Sequence, residues 1–99
     1  MLIVTLSGVL LSDCETKTDS RGAKLLSFLI GTEETDVNGR KYKDNFRCYC
    51  YNMSNPQVVK MKKGDVVMLS GTFRILHRNG NTNFDIYVKQ ITPMLVKQE

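Results

Sequence analysis

Arginine and tyrosine side chains recur at every second position late in the first half of the chain. Successive side chains of an extended strand point to opposite faces, so Arg47, Tyr49 and Tyr51 share one face. Phenol rings stack on unpaired bases, and a guanidinium neutralises a phosphate. This combination of residue types and spacing predicts a surface that holds a single nucleic-acid strand.

Further aromatic and basic residues extend this candidate surface. Tyrosine is also common in strands that cover a barrel end or a subunit contact, and lysines at turns are often only solvated. Arg47 and Arg74 lie among apolar neighbours, where a solvated-surface explanation is weaker. The predicted nucleic-acid-binding residues are Arg47, Tyr49, Tyr51, Arg74, His77, Arg78, Tyr87 and Lys89, with Lys41, Tyr42 and Lys43 as a clamp on a hairpin.

The net charge of +4 is unevenly distributed over the 99 residues. Residues 1–36 contain three basic and six acidic side chains, a net −3, whereas residues 37–99 contain eleven basic and four acidic ones, a net +7. This asymmetry indicates one positive face and an anionic partner, with nucleic acid the commonest candidate. A solvated basic surface without a partner is the equally weighted alternative.

The cysteine and histidine content argues against a metal centre and against nucleophilic catalysis. Three cysteines are an odd count, and the spacing of Cys48 and Cys50 matches neither a zinc knuckle nor a thioredoxin-like pair. His77 is the only histidine, so any histidine-based site would have to be built around it. No glycine-rich phosphate loop is present. We therefore expect inert core thiols, no metal and no cofactor.

Acidic residues and hydropathy exclude further classes of protein. A nuclease would need clustered acids for a metal, but Asp44, Asp65 and Asp85 are scattered singly, which favours a binding protein over an enzyme. The longest apolar run, residues 66–69, is too short for a membrane, and the apolar start of the chain lacks the basic residues of a signal peptide. We expect one soluble, cytoplasmic domain.

Hydrophobic periodicity predicts an all-β chain. Five segments rich in apolar and aromatic residues follow the period of two of a β-strand, with Gly8 bending the first and both faces of the second fairly apolar. The strands are predicted over residues 2–11, 24–32, 46–51, 66–77 and 82–91, with a connection over 12–22. Their inward residues are predicted to be Leu26, Phe28 and Ile30; Phe46, Cys48 and Cys50; Val67, Leu69, Gly71, Phe73 and Ile75; and Phe84, Ile86 and Val88.

Turn and helix signals connect these strands. The Asn-Gly pairs at 38–39 and 79–80 predict two hairpins, because both residue types tolerate positive φ. Ser54-Asn55-Pro56 is predicted to open a short helix. The series fits a five-stranded Greek-key OB-fold barrel over residues 1–92 and a short tail over 93–99. An SH3-like barrel is the main competitor, and the helix between strands three and four favours the OB-fold.

An ordered series of short motifs runs through the chain. It comprises Gly8-Val9-Leu10, Asp13-Cys14-Glu15, Arg21-Gly22 and the block from Lys62-Lys63-Gly64-Asp65 to Gly71-Thr72-Phe73-Arg74. Over about residues 3–91 this series resembles bacterial and phage single-stranded DNA-binding proteins. The resemblance implies an OB-fold that binds single-stranded DNA without sequence preference, by stacking and phosphate neutralisation, in DNA replication, recombination or repair.

The resemblance also implies roles for particular positions. Arg47 and Tyr51 match the arginine and the stacking aromatic of the family's third strand, and Arg74 matches the basic residue of its fourth strand. This chain contains no tryptophan, so its stacking relies on tyrosines. The family's tryptophans fall on Thr35, Asn45 and Arg78.

The resemblance further implies partners. It implies a homo-oligomer, either a tetramer or a dimer like the tail-less primosomal replication protein. The outward apolar residues Leu25 and Leu29, with the first strand, are the predicted interface. The chain ends at Lys97-Gln98-Glu99, without the family's acidic tail closing in Pro-Phe that recruits replication and repair enzymes. The alternative function is an OB-fold primosomal or adaptor protein whose main partner is another replication protein, such as a helicase.

Overall fold

A computed structural model describes residues 2–51 and 60–93, and every regular element in these ranges is a β-strand. No helix in them is long and apolar enough to span a bilayer. The strands are β1 (Ile3–Leu10), β2 (Glu15–Thr18), β3 (Lys24–Thr35), β4 (Lys41–Cys50), β5 (Val66–Arg78) and β6 (Asn81–Pro93).

Five of these strands close into a barrel. Their order is β1-β5-β6-β4-β3, and β3 returns to β1 where Val9 pairs with Gly31 and Leu10 with Ile30. Neighbouring strands are antiparallel except β4 and β6, which run parallel. The short strand β2 pairs with β3 outside the barrel. The predicted all-β, five-stranded barrel is therefore confirmed.

Barrel closure depends on a residue of β1 that has no side chain. A Cβ atom at Gly8 would lie 2.4 Å from the carbonyl oxygen of Gly31 and 2.9 Å from Cγ1 of Ile30. Both distances are shorter than non-bonded atoms tolerate. Glycine at this position therefore lets β1 approach β3 closely enough to complete the barrel.

The barrel encloses one apolar core built from alternate residues of each strand. Full burial of a side chain such as Phe28 stabilises the fold by about 1.5–3 kcal/mol. Phe46 and Phe73, also predicted to point inward, are partly buried against this core. The predicted inward residues Leu26, Phe28, Ile30, Cys48, Cys50, Val67, Leu69, Ile86 and Val88 are buried, together with Leu10, Met61 and Ile91.

The far end of the β5–β6 hairpin departs from the predicted core. Ile75 and Phe84 face each other across the hairpin, and they are 47% and 44% exposed rather than buried. The parallel pairing with β4 begins only at Asp85, so the preceding residues of β6 project beyond the barrel wall. The prediction that Ile75 and Phe84 lie in the core is therefore wrong.

A β-bulge interrupts the alternation of β6. Ser70 pairs with Gln90 and Gly71 with Val88, so Lys89 has no partner on β5. The extra residue returns Ile91 to the core and leaves the side chains of Lys89 and Gln90 both exposed.

The connection predicted over residues 12–22 contains the additional strand β2. Lys17 of β2 lies opposite Leu25 of β3, and Leu25 is only 5% exposed. Leu25 is therefore buried within this chain, which corrects its prediction as an outward residue for a subunit contact. Leu29, the second residue of that predicted contact, is partly exposed.

Both predicted Asn-Gly turns lie at hairpins, one between β3 and β4 and the other between β5 and β6. The short helix predicted to begin at Ser54 falls within residues 52–59, outside the described residues, as do residues 94–99 of the predicted tail. Residues 60–65 contain turns and irregular structure, and Met61 in this segment is buried in the core.

Candidate nucleic-acid interface

The outer face of the barrel wall formed by β4, β6 and β5 brings together the central residues of the predicted site. Strand register places Tyr49 of β4, Tyr87 of β6 and Thr72 of β5 in one row across the wall. Cross-strand neighbours in such a row have Cβ atoms about 5 Å apart. The next row along the strands contains Arg47, Asp85 and Arg74.

Two tyrosines and an arginine form a cluster at the centre of this face. The ring centroids of Tyr49 and Tyr87 are 5.5 Å apart, with an angle of 31° between the ring planes. The guanidinium carbon of Arg74 lies 5.1 Å from the centroid of Tyr87, within the range of a cation–π interaction. The aromatic surface thus lies beside a positive charge, as stacking bases linked by phosphates require.

Arg47 is held on the same face by a residue of β3. Its Nη1 donates a long hydrogen bond of 3.5 Å to Oγ of Ser27, whose side chain is almost completely buried. Arg47 as a whole residue is only partly exposed. The contact limits where the charge of Arg47 can move.

Two adjoining depressions follow these rows of side chains. The depression that we call the cleft has a volume of about 390 Å³ and lies between Arg47 and Tyr49 of β4 and residues 82–85 of β6. Tyr49 also lines the second depression, so the two form one path across the wall. This second depression, which we call the groove, has a volume of about 580 Å³ and is lined by Arg21, Tyr49, Tyr51, Thr72, Arg74, Tyr87, Val88 and Lys89.

The turn between β2 and β3 forms one end of the groove. The hydroxyl of Tyr51 donates a hydrogen bond of 3.0 Å to Oδ2 of Asp19. Oδ1 of Asp19 accepts hydrogen bonds from the backbone N–H groups of Arg21 and Ala23, each 2.9 Å long. Nη2 of Arg21 is 3.9 Å from Oδ2 of Asp19. Arg21 lines the groove but is not among the predicted site residues, because the sequence predicts only a plain connection over residues 12–22.

The pKa of Asp19 predicts how this end of the groove responds to acid. The hydrogen bond from the Ala23 backbone, together with those from Arg21 and Tyr51, lowers the pKa of Asp19. A lowered pKa in the folded state stabilises the turn above the unfolded value of about 3.9, and the stabilisation is lost as pH falls through the folded value. We expect the ring resonances of Tyr51 to shift with a midpoint below about 3.9.

An NMR titration of the wild-type protein and of the Asp19→Asn variant measures this response. The variant keeps a side-chain oxygen that can accept the backbone hydrogen bonds of the turn, but it has no carboxyl group to titrate. Its Tyr51 resonances should therefore show no such transition. A wild-type midpoint at or above about 3.9 would contradict the hydrogen-bonded arrangement.

The predicted clamp residues lie on the arm formed by β3 and β4, away from the groove and the cleft. Strand alternation places Lys41 and Lys43 on the same side of β4 as Arg47, and Tyr42 on the opposite side. The hydroxyl of Tyr42 donates a hydrogen bond of 2.9 Å to Oδ2 of Asp36. Their contact with a nucleic acid stays a prediction.

The remaining predicted residues lie at the end of the β5–β6 hairpin. Nδ1 of His77 is 3.2 Å from Oγ1 of Thr82 across the hairpin. Arg78 is the last residue of β5 and pairs with Asn81. His77 thus lies at the end of the cleft, beside the lining residue Thr82, and Arg78 is one residue further along the hairpin. The binding role of both residues stays a prediction.

The cysteines have properties of buried thiols. Burial raises the pKa of Cys48 to about 12 and that of Cys14 to about 11, which keeps both protonated at neutral pH. Among residues 2–51 and 60–93, no three His, Cys, Asp or Glu side chains come together in a way that could hold a metal ion.

Comparisons with known proteins identify the class of fold. Neither the models of protein families nor the curated proteins include a match to this sequence. Solved structures do match: the chain has the OB-fold of single-stranded DNA-binding proteins, which confirms the sequence resemblance at the level of the fold.

Two solved structures represent this similarity. One is the Plasmodium falciparum SSB in complex with ssDNA, with a TM-score of 0.75, 18% sequence identity and coverage of 95% of both chains. The other is the small single-stranded DNA-binding protein of Streptomyces coelicolor, with a TM-score of 0.74, 14% identity, and coverage of 95% of this chain and 93% of that one.

Proposed function

We propose that this protein binds single-stranded DNA of any sequence along the groove and the cleft, and that it performs no chemical step. The observation that carries the proposal is the cluster of Tyr49, Tyr87 and Arg74 on one exposed barrel face. The printed names of the two structural neighbours, an SSB bound to ssDNA and a single-stranded DNA-binding protein, support the same ligand.

Two physical interactions account for the binding. Each base that stacks on an aromatic ring contributes about 1–3 kcal/mol, and every base has a π-face, so stacking is insensitive to sequence. Cationic side chains along the path displace counterions from the phosphates, which makes the affinity depend on salt. These cations are Arg21, Arg74 and Lys89 in the groove and Arg47 in the cleft.

The first strand supports a homo-oligomer. β1 pairs with β5 from Ile3 to Val9, but with β3 only at Val9 and Leu10. Within the described residues, its edge from Ile3 to Ser7 therefore has no partner on the β3 side, and Ile3 and Met68 nearby are 67% and 46% exposed. An open edge with apolar neighbours is a template for pairing with a second copy. Light scattering distinguishes a dimer from a tetramer.

The cellular role follows from the proposed activity. A protein that covers single strands of any sequence protects the DNA exposed during replication, recombination or repair. We place this role in the cytoplasm, and we propose replication proteins as secondary partners.

A tyrosine fluorescence titration with oligo-dT tests the proposed function. The chain has no tryptophan, and three of its four tyrosines line the groove, so quenching reports mainly on the rings of the site. Four cations that contact phosphates predict a slope of about −3 in a plot of log affinity against log salt concentration. Absence of saturable quenching in low salt, or an affinity that does not change with salt, would refute the proposal.

A further inference from the structure

The cleft contains the one acidic residue of the two central rows. Asp85 lies between Arg47 of β4 and Arg74 of β5 in the strand register. Arg47 donates to Ser27 instead, and Arg74 lies over the ring of Tyr87. Within residues 2–51 and 60–93, the carboxylate of Asp85 takes part in no hydrogen bond and no ion pair of 4.0 Å or less.

A carboxylate at this position opposes the binding of a polyanion. It repels phosphates, and neither neighbouring arginine neutralises it by a direct contact. An ionised carboxylate only accepts hydrogen bonds, so the ligand group that suits it is a donor. On a DNA strand the donors belong to the base edges, because the phosphates and the deoxyribose rings within the strand carry none.

The surroundings of Asp85 suit a base edge better than a phosphate. The cleft is also lined by Asn45, Asn83 and Tyr49, which strand alternation places on the same outer face as Asp85. Its volume of about 390 Å³ falls in the range of small-molecule sites. An aromatic ring can receive the face of a base while polar side chains meet its edge.

The bases differ in what they offer to a carboxylate. Cytosine presents the N4 amine, adenine the N6 amine, and guanine the N1–H and the N2 amine side by side. Thymine presents a single N3–H between two carbonyl oxygens, and those oxygens repel a carboxylate. A cleft with Asp85 at its centre therefore favours bases that carry an exocyclic amine.

We infer that the cleft is a base-selective subsite, in which Asp85 accepts a hydrogen bond from the exocyclic amine of cytosine, adenine or guanine and disfavours thymine. The inference rests on the proposed function. The subsite makes the affinity differ from one sequence to another, while stacking in the groove still permits every sequence to bind.

The Asp85→Asn variant tests the subsite against a purely electrostatic role for Asp85. We expect the variant to bind oligo-dT more tightly than wild type, because a negative charge is lost, while the ratio of oligo-dC to oligo-dT affinity falls about fivefold. Asp44→Asn removes the same charge from β4 outside the groove and the cleft, and it should leave the ratio unchanged. An unchanged ratio in Asp85→Asn would overturn the inference.

A change in the ligand gives the same test without altering the fold. Oligo-dC that carries N4,N4-dimethylcytosine has no amine proton to donate, and wild type should bind it about fivefold less tightly than oligo-dC. Equal binding of the two oligonucleotides would refute the subsite while leaving the proposed function intact. Failure of wild type to bind any oligonucleotide in low salt would instead refute the proposed function and the subsite with it.

Discussion

Replacing Tyr87 with alanine is expected to weaken the binding of oligo-dT by about fivefold or more, because one stacked base contributes about 1–3 kcal/mol. Tyr87 lies at the centre of the site, 5.5 Å from Tyr49 and beneath the guanidinium of Arg74. Its removal takes away one stacking surface and also the ring that positions the other two side chains. A fluorescence anisotropy titration with labelled oligo-dT measures the loss.

Tyr42→Ala is the matched control for this prediction. Tyr42 is 49% exposed, and its hydroxyl donates a hydrogen bond to Asp36 at the far end of the β3–β4 arm. We expect this variant to lose much less affinity than Tyr87→Ala, because Tyr42 lines neither the groove nor the cleft. Equal losses in the Tyr42 and Tyr87 variants would show that the strand does not follow the groove.

Replacing Gly71 with alanine is expected to destabilise the fold by about 3 kcal/mol, near the upper end of typical overpacking costs. A Cβ atom at this position would lie 2.2 Å from the carbonyl oxygen of Tyr87 and 2.9 Å from Cα of Val88, both in the backbone of β6. Backbone atoms cannot rotate away as a flexible side chain can. For a domain of this size the melting temperature should fall by about 12 °C or more, measured by circular dichroism.

The neighbouring Ser70→Ala variant separates this steric effect from a general sensitivity of β5. Ser70 is only partly buried, and we expect its loss to change stability by less than about 0.5 kcal/mol. If Gly71→Ala melted at the wild-type temperature, the close approach of β5 to the bulged part of β6 would be contradicted.

The core was predictable from the sequence wherever a strand stays regular and faces the opposite wall of the barrel. In β3, alternation alone placed Leu26, Phe28 and Ile30 in the core. It failed at Phe84, because periodicity shows which face a residue shares but not where the barrel ends. Alternation also gave no sign of the bulge at Lys89, since a bulge depends on how β6 pairs with β5.

The centre of the site was predictable for a similar reason. Arg47, Tyr49 and Tyr87 face outward by alternation, and the parallel pairing of β4 with β6 then brings the two tyrosines into contact. Arg21 could not be assigned, because its place in the groove depends on a turn whose spatial position the sequence does not specify. The spacing of Asp19, Arg21 and Ala23 is the signal that would have indicated a side-chain-capped turn.

The bulge connects the fold to the proposed binding. Regular alternation would keep Lys89 on the side of β6 that carries Tyr87, but it would turn Gln90 toward the core and Ile91 outward. With the extra residue, Ile91 packs in the core while Lys89 lines the groove beside Tyr87. The irregularity therefore adds an apolar residue to the core without removing a cation from the groove.

The most direct test of DNA binding along the groove is an NMR titration with oligo-dT that resolves each residue. We predict that saturable shifts at low salt are largest at Tyr49, Arg74 and Tyr87, and that Val9 and Leu11, exposed where β1 meets β3, do not shift. Shifts that are largest at Val9 and Leu11, or no saturable shift at the three groove residues, would contradict it.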